Sequence, residues 1–260
     1  MSGGRARGRR LILSLPVLVG LLVLWQVASS AGWLDPRSAP GPTAVMLDWW
    51  RLLDSGELWT HVGASLRRVL SGFALAAFIG VAVGVVVGSS RRATVMVSPV
   101  FEVLRPIPPI AWVPLAILWF GLGDPPSIFI VALAAFFPIC VSAMDAIPGA
   151  ALTHRRVLRT LGVSPRSLLL KVALPAAGPR ILTGVRVGMG IAWTSAIAAE
   201  LVGAQSGLGY FIQQKRLQLQ VESVMAGMLT IGLLGFGLSA MLSWLERRFL
   251  PLLDTTGGTG

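Results

Sequence analysis

Apolar residues in this chain come in long runs broken by short polar or basic stretches. The first run, about Leu11 to Ser29, follows Arg5, Arg7, Arg9 and Arg10. Later runs cover about Val69 to Gly88, Ser127 to Ile147, Ile181 to Ala204 and Val224 to Trp244. A helix that crosses a bilayer needs about 20 mostly apolar residues, and these runs meet that length. Another run, between the second and fourth spans, is irregular. Arg105-Pro106-Ile107-Pro108-Pro109 precedes Ile110 to Leu122, with Pro114 inside. Proline removes a backbone donor and kinks or breaks a helix, so this stretch is either a kinked helix starting near Val95 or a turn followed by a shorter helix. The pattern predicts an all-α, polytopic transmembrane bundle of about six spans.

A signal peptide is the rival for the first run, but a signal core has roughly 7–15 apolar residues. This run is longer and more spans follow, so it reads as a retained first helix. The stretch from about Gly32 to His61 is more polar and holds Trp49, Trp50 and Trp59. Tryptophan favours the membrane–water interface, which predicts a partly helical segment on the outer surface. Gly72, Gly80, Gly84 and Gly88 give the second span small residues that let helices approach closely, either within its own bundle or against a partner. The expected division is a basic tail, first span and interfacial segment over 1–64, a core over 65–248, and a disordered tail over 249–260.

Composition agrees with a membrane protein: 54% hydrophobic and 13% charged over 260 residues, against about 25% charged in soluble domains. The net charge of +11 does not point to nucleic acid, because the basic residues fall between apolar runs. With the N-terminus inside, the cytoplasmic set is Arg5, Arg7, Arg9, Arg10, Arg91, Arg92, Arg155, Arg156, Arg159, Arg166, Lys171, Arg180, Arg247 and Arg248. The outer set is smaller: Arg37, Arg51, Arg67, Arg68, Lys215 and Arg216. Positive residues stay inside, so both termini are expected in the cytoplasm. The Arg67-Arg68 pair fits least well, since it must sit at the outer interface. One cysteine, Cys140, and two separated histidines, His61 and His154, leave no metal-site spacing.

The longest basic cytoplasmic segment is 152–175, between the fourth and fifth spans. Leu152 to Leu161 has a short helical pattern. Gly162 suits a helix C-terminus, and Ser164 with Pro165 suits the next N-terminus. A second short helix is expected to run to about Ala173 and stop before Pro175. This segment resembles the EAA loop of ATP-binding-cassette importer permeases, whose pattern is Glu-Ala-Ala, three residues, Gly, nine residues, Ile, any residue, Leu-Pro. Gly162, Val172, Leu174 and Pro175 match that spacing, with Val for Ile. Arg156, Val157 and Leu158 stand in the Glu-Ala-Ala positions, a departure that puts any glutamate-specific contact in doubt.

Further similarity lies in Arg105 to Gly123, Phe136-Phe137-Pro138-Ile139, Ala199 to Ala204 and Gly207-Leu208-Gly209-Tyr210. These are similar to the branch that imports nitrate, sulfonates, taurine and related compounds. The resemblance implies a bacterial inner-membrane permease in which 152–175 docks as a coupling helix on an ATPase. It implies a second permease copy forming a homodimer, two ATPase subunits and an extracytoplasmic binding protein, set in membrane lipid. No Gly-x-x-x-x-Gly-Lys-Ser/Thr occurs, so ATP and Mg are expected on the partner and no cofactor on this chain. A vitamin-precursor substrate is the alternative within the family.

Ionisable residues within spans are costly and mark pathways or structural pairs. Arg186, Glu200, Glu102 and Arg105 are the pathway candidates, the alternative being an interfacial or structural ion pair such as Glu102 with Arg105 one turn later. Trp193, Trp112 and Trp119 either line a cavity or pack. A secondary transporter would need internal repeats and its own coupling residues; neither is evident. An intramembrane protease built on Ser206 would need a base within reach, and His61 and His154 lie on opposite sides in this topology.

Overall fold

The computed structural model describes the backbone of residues 3–35, 38–160, 167 and 169–254, and the side chains of 16–17, 19–35, 38–148, 167 and 169–248. Among these residues every regular element is helical. The order is α1 (Gly3–Ser30), α2 (Pro42–Asp54), α3 (Glu57–Gly88), α4 (Arg91–Leu104), a 3-10 turn (Pro109–Trp112), α5 (Val113–Phe120), α6 (Asp124–Thr160), a π-helical turn (Leu169–Ala173), α7 (Leu174–Gly203), α8 (Leu208–Leu217) and α9 (Val221–Asp254). Four stretches are long and apolar enough to cross a membrane: Glu57–Gly88, Asp124–Pro148, Leu169–Gly203 and Val221–Arg248. The bent pair Arg91–Leu104 and Pro109–Phe120 makes a fifth if it is one crossing. The expected first span lies within α1, whose described apolar part, Val19–Ser30, is short of crossing length.

Local chemistry sets the breaks. Ser90 is extended and its hydroxyl accepts from the Ala93 N–H, capping α4. Pro108 is extended before Pro109, as the ring of a following proline requires, and the chain turns by 82° there. The broken-element alternative therefore describes this region. Gly121 ends α5 with φ +76, a conformation open to glycine. Two expectations about length give way. α3 starts at Glu57, taking in the end of the stretch expected as interfacial, and α9 continues past Arg248 to Asp254. The expected stop before Pro175 does not occur either. The π-turn Leu169–Ala173 runs straight into α7. Its wider turn eases the clash between the Pro175 ring and the carbonyl four residues earlier.

The chain forms two compact units. The first comprises Met1–Thr60 and Phe211–Thr230, the second His61–Tyr210 and Ile231–Gly260. In the first, Gln26 Oε1 accepts from the Thr43 N–H and hydroxyl, both at 3.2 Å, which pins α2 to α1. Trp49 Nε1 donates to Thr230 Oγ1 at 2.9 Å, and Ser223 Oγ donates to Asp48 Oδ2 at 2.6 Å. A cavity of about 640 Å³ lies beside them, lined by Asp48, Arg51, Glu57, Lys215 and Glu222 among others.

In the second unit α6 is the central helix. Its one side receives the α3 glycines: a Cβ on Gly72 would meet Ile128 O at 2.6 Å, and one on Gly84 would meet Cys140 O at 2.5 Å. Gly88 approaches Met144 in the same way. Its other side receives α7, where a Cβ on Gly184 would meet Ser142 Cβ at 2.2 Å. Gly72, Gly80, Gly84 and Gly88 of α3 thus serve packing within the chain. Close backbone approach replaces the hydrophobic effect as the source of helix association in lipid.

Candidate functional site

Helices α3, α6, α7 and α8 converge on one buried ionic cluster. Arg68 lies about three turns into α3 and is 1% exposed; Glu200 comes from the last turn of α7 and is also 1% exposed. Arg68 Nη1 lies 2.9 Å from Glu200 Oε1. Arg68 Nε donates to Asp124 Oδ1 at 2.7 Å, at the start of α6. The guanidinium also donates to Ser206 O at 2.7 Å and to Ser206 Oγ at 2.6 Å. Glu200 Oε2 accepts from the Gly209 N–H at 2.9 Å, and Ser65 Oγ lies 2.8 Å from both carboxylate oxygens. Ser65 in turn accepts from the Leu208 N–H at 2.8 Å. Arg67 pairs with Asp124 from outside. His61 Nδ1 accepts from the Gly207 N–H at 3.2 Å, and its ring lies against Tyr210.

This cluster is saturated. Each charge has several partners, as a buried charge requires. The turn Ala204-Gln205-Ser206-Gly207 passes over the Glu200 carboxylate so closely that a Cβ on Gly207 would meet Glu200 Cδ at 2.4 Å. Gly207 also has φ +104, so glycine is required twice over. The cluster fixes four helices to one another, and Arg68 keeps no open donor within it.

Arg186 is placed differently. It lies inside the apolar segment Leu169–Gly203, and its side chain is 49% exposed. Its Nη1 is 3.3 Å from Glu246 Oε2, on α9. Thr183, Arg186, Val187, Gly190, Ile191 and Thr194 share the exposed side of α7, while Ile181, Gly184, Gly188, Ala192 and Ala196 share the buried side. Trp193 is buried, with Nε1 against Gly235 of α9, so it packs between helices. Trp112 is half-buried and Trp119 is exposed beside Phe120 and Phe129. Glu102 and Arg105 are both exposed, and neither makes an ion pair among the described residues, so the alternative of a pair between them is not formed there. Cys140 is fully buried.

Of the loop residues, the side chains of Arg156, Val157 and Leu158, and the whole of Gly162, lie outside the described residues. So do the expected helix signals Ser164 and Pro165. Val172, Leu174 and Pro175 are half-buried in the π-turn and the start of α7. There, Leu169 and Leu174 pack on a core of Ala143, Ala146, Ile147, Ala177 and Ile181. The two sides of the loop are therefore locked into one core. Sequence reasoning missed Ser65, Arg68, Asp124 and Ser206 as a set. The available signal was the Arg67-Arg68 pair, the basic residues that fit the inside–outside charge distribution least well.

Residues 72–253 match the family described as binding-protein-dependent transport system inner membrane component. The chain belongs to that family. This permease is 34% identical to the taurine transport system permease protein TauC of Escherichia coli, over 94% of its own length and 90% of that protein. It is 35% identical to the bicarbonate transport system permease protein CmpB of Synechococcus elongatus, over 92% and 90%. Among solved structures it resembles the MetNI methionine ABC transporter in inward-facing conformations, with a TM-score of 0.65 at 19% identity over 72% of this chain and 94% of that one. That likeness bears on the fold. The permease is an inner-membrane component of an ABC transport system, a membrane part and not itself the ATPase.

Proposed function

We propose that this permease forms the passage for a small oxyanion in an ATP-driven importer. The single observation that carries the substrate class is Arg186, a half-exposed cation within an apolar segment. An arginine there cannot face lipid tails and must face water or protein. Relatives named for taurine and bicarbonate handle molecules that share an oxyanion group, a sulfonate or a carbonate, and a guanidinium is suited to both. Nitrate belongs to the same chemical class.

ATP and Mg are bound by a partner ATPase that docks on the 152–175 loop, with Gly162, Val172, Leu174 and Pro175 shaping the contact and Arg156, Val157 and Leu158 on its first helix. The packing of Leu169 and Leu174 against Ala146 and Ile147 supports this role, because force on the loop then reaches α6 and α7 together. Alternating access follows if ATP and substrate favour different global states. An extracytoplasmic binding protein delivers substrate, and a second copy of this chain completes the passage. Arg186 lines it. Glu200 and Trp193 support its walls from within the fold, and Glu102 is placed on the exposed side of α4.

Native purification of the chain from its own membranes tests the coupling. Recovery of a P-loop ATPase, lost in Gly162→Pro, is the expected result. Isolation of the chain without any ATPase would overturn it.

A further inference from the structure

Glu246 is held by two donors, one on each carboxylate oxygen. Thr183 Oγ1 lies 3.3 Å from Oε1, and Arg186 Nη1 lies 3.3 Å from Oε2. Both distances are beyond the usual range for a charge-assisted bond. The Thr183 hydroxyl has one proton, and it is shared with the Pro179 carbonyl at 3.1 Å. Arg186 spends one of its five N–H donors on Glu246 and keeps half its side-chain surface open. By contrast, Arg68 is saturated by short contacts. Arg68 is thus fully paired, whereas Arg186 is held loosely.

Resting on the oxyanion reading above, we infer that Thr183 and Arg186 form an anion-exchange site in which the Glu246 carboxylate stands in for the transported anion. A carboxylate, sulfonate or bicarbonate offers two oxygens at the same spacing as Glu246, so it fits the same two donors. Glu246 keeps Arg186 neutralised when no cargo is present, which lowers the cost of a charge at that depth. It also competes with cargo, so the anion is held briefly and then released. Gly190 and Thr194 continue the same exposed side of α7 one and two turns further on. A Cβ on Gly190 would have nothing within 4 Å, which leaves room beside the site.

The test uses the full chain, purified with whatever subunits accompany it, in lipid nanodiscs. Labelled taurine and labelled bicarbonate are the probes, with Glu246→Gln, Arg186→Gln, Arg186→Lys and Thr183→Val compared with the unaltered chain. Maleimide protection of buried Cys140 shows that each variant is folded. Removing the competing carboxylate is expected to tighten probe binding about tenfold, and removing the guanidinium to weaken it by about as much. Arg186→Lys should recover only part, because an ammonium lacks the fork. Unchanged affinities in Glu246→Gln and Arg186→Gln would overturn the site, as would weaker binding in Glu246→Gln. ATP-dependent uptake by the unaltered complex is read in parallel. Uptake with unmoved affinities sinks the exchange site alone, whereas absence of both binding and uptake for every oxyanion sinks the substrate reading as well.

Discussion

The guanidinium of Arg68 and the carboxylate of Glu200 meet at 2.9 Å with side chains 1% and 0% exposed. The two residues are 132 positions apart in the chain, and their contact ties the N-terminal half of α3 to the end of α7. Removing one partner of a buried pair leaves an uncompensated charge and costs about 3–5 kcal/mol. Arg68→Met should therefore lower the midpoint of thermal unfolding in detergent markedly. Rising maleimide reactivity of Cys140, the single cysteine, would report it. An unchanged midpoint would mean that the cluster does not hold the helices.

Gly207→Ala should damage the same region without touching a charge. Its Cβ would fall 2.4 Å from Glu200 Cδ, at φ +104. The Ser206 turn must then move away, and the Ser65 and Gly209 contacts to Glu200 go with it. Gly63→Ala, where a Cβ meets nothing within 4 Å, serves as control and should gain up to about 1 kcal/mol of helix propensity. Comparable losses in both variants would contradict the geometry.

Spans and packing differ in how far the sequence reveals them. The spans expected at about Val69 to Gly88, Ser127 to Ile147, Ile181 to Ala204 and Val224 to Trp244 were legible because apolar run length is a local property. The break after Leu104 was signalled by Pro106, Pro108 and Pro109, although its 82° bend was not, since a bend is set by what each half packs against. The Arg68–Glu200–Asp124 cluster was out of reach, because pairing across three helices depends on tertiary approach. Arg186 stood out as a charge in an apolar run, but Glu246 came from another helix 60 positions away. The Pro175 boundary failed for a related reason: a π-turn absorbs the proline that would otherwise end the helix.

Gly84→Leu should separate α3 from α6. A Cβ there already meets Cys140 O at 2.5 Å and Ala143 Cβ at 2.6 Å, and both belong to the central helix, so backbone must shift. Loss of monodisperse protein and exposure of Cys140 to maleimide are expected. A well-behaved Gly84→Leu with Cys140 still protected would show that the glycine face is not engaged within the chain.

Thr230→Val removes the acceptor of the Trp49 indole N–H, which sits at 2.9 Å in the first unit. A lost hydrogen bond of this kind costs about 1 kcal/mol. The effect should be small on thermal unfolding and should vanish in the background of Trp49→Phe, where no indole remains to be satisfied. Additive losses in the double variant would mean that the two side chains do not interact.

ATP-dependent uptake is the most direct test of the central claim. The natively purified complex would be reconstituted in liposomes with its binding protein and offered labelled taurine and labelled bicarbonate. The prediction is uptake of at least one oxyanion only when ATP is supplied on the ATPase side. Equal uptake without ATP, driven by a proton or sodium gradient and retained by this chain alone, would contradict it and identify a secondary transporter.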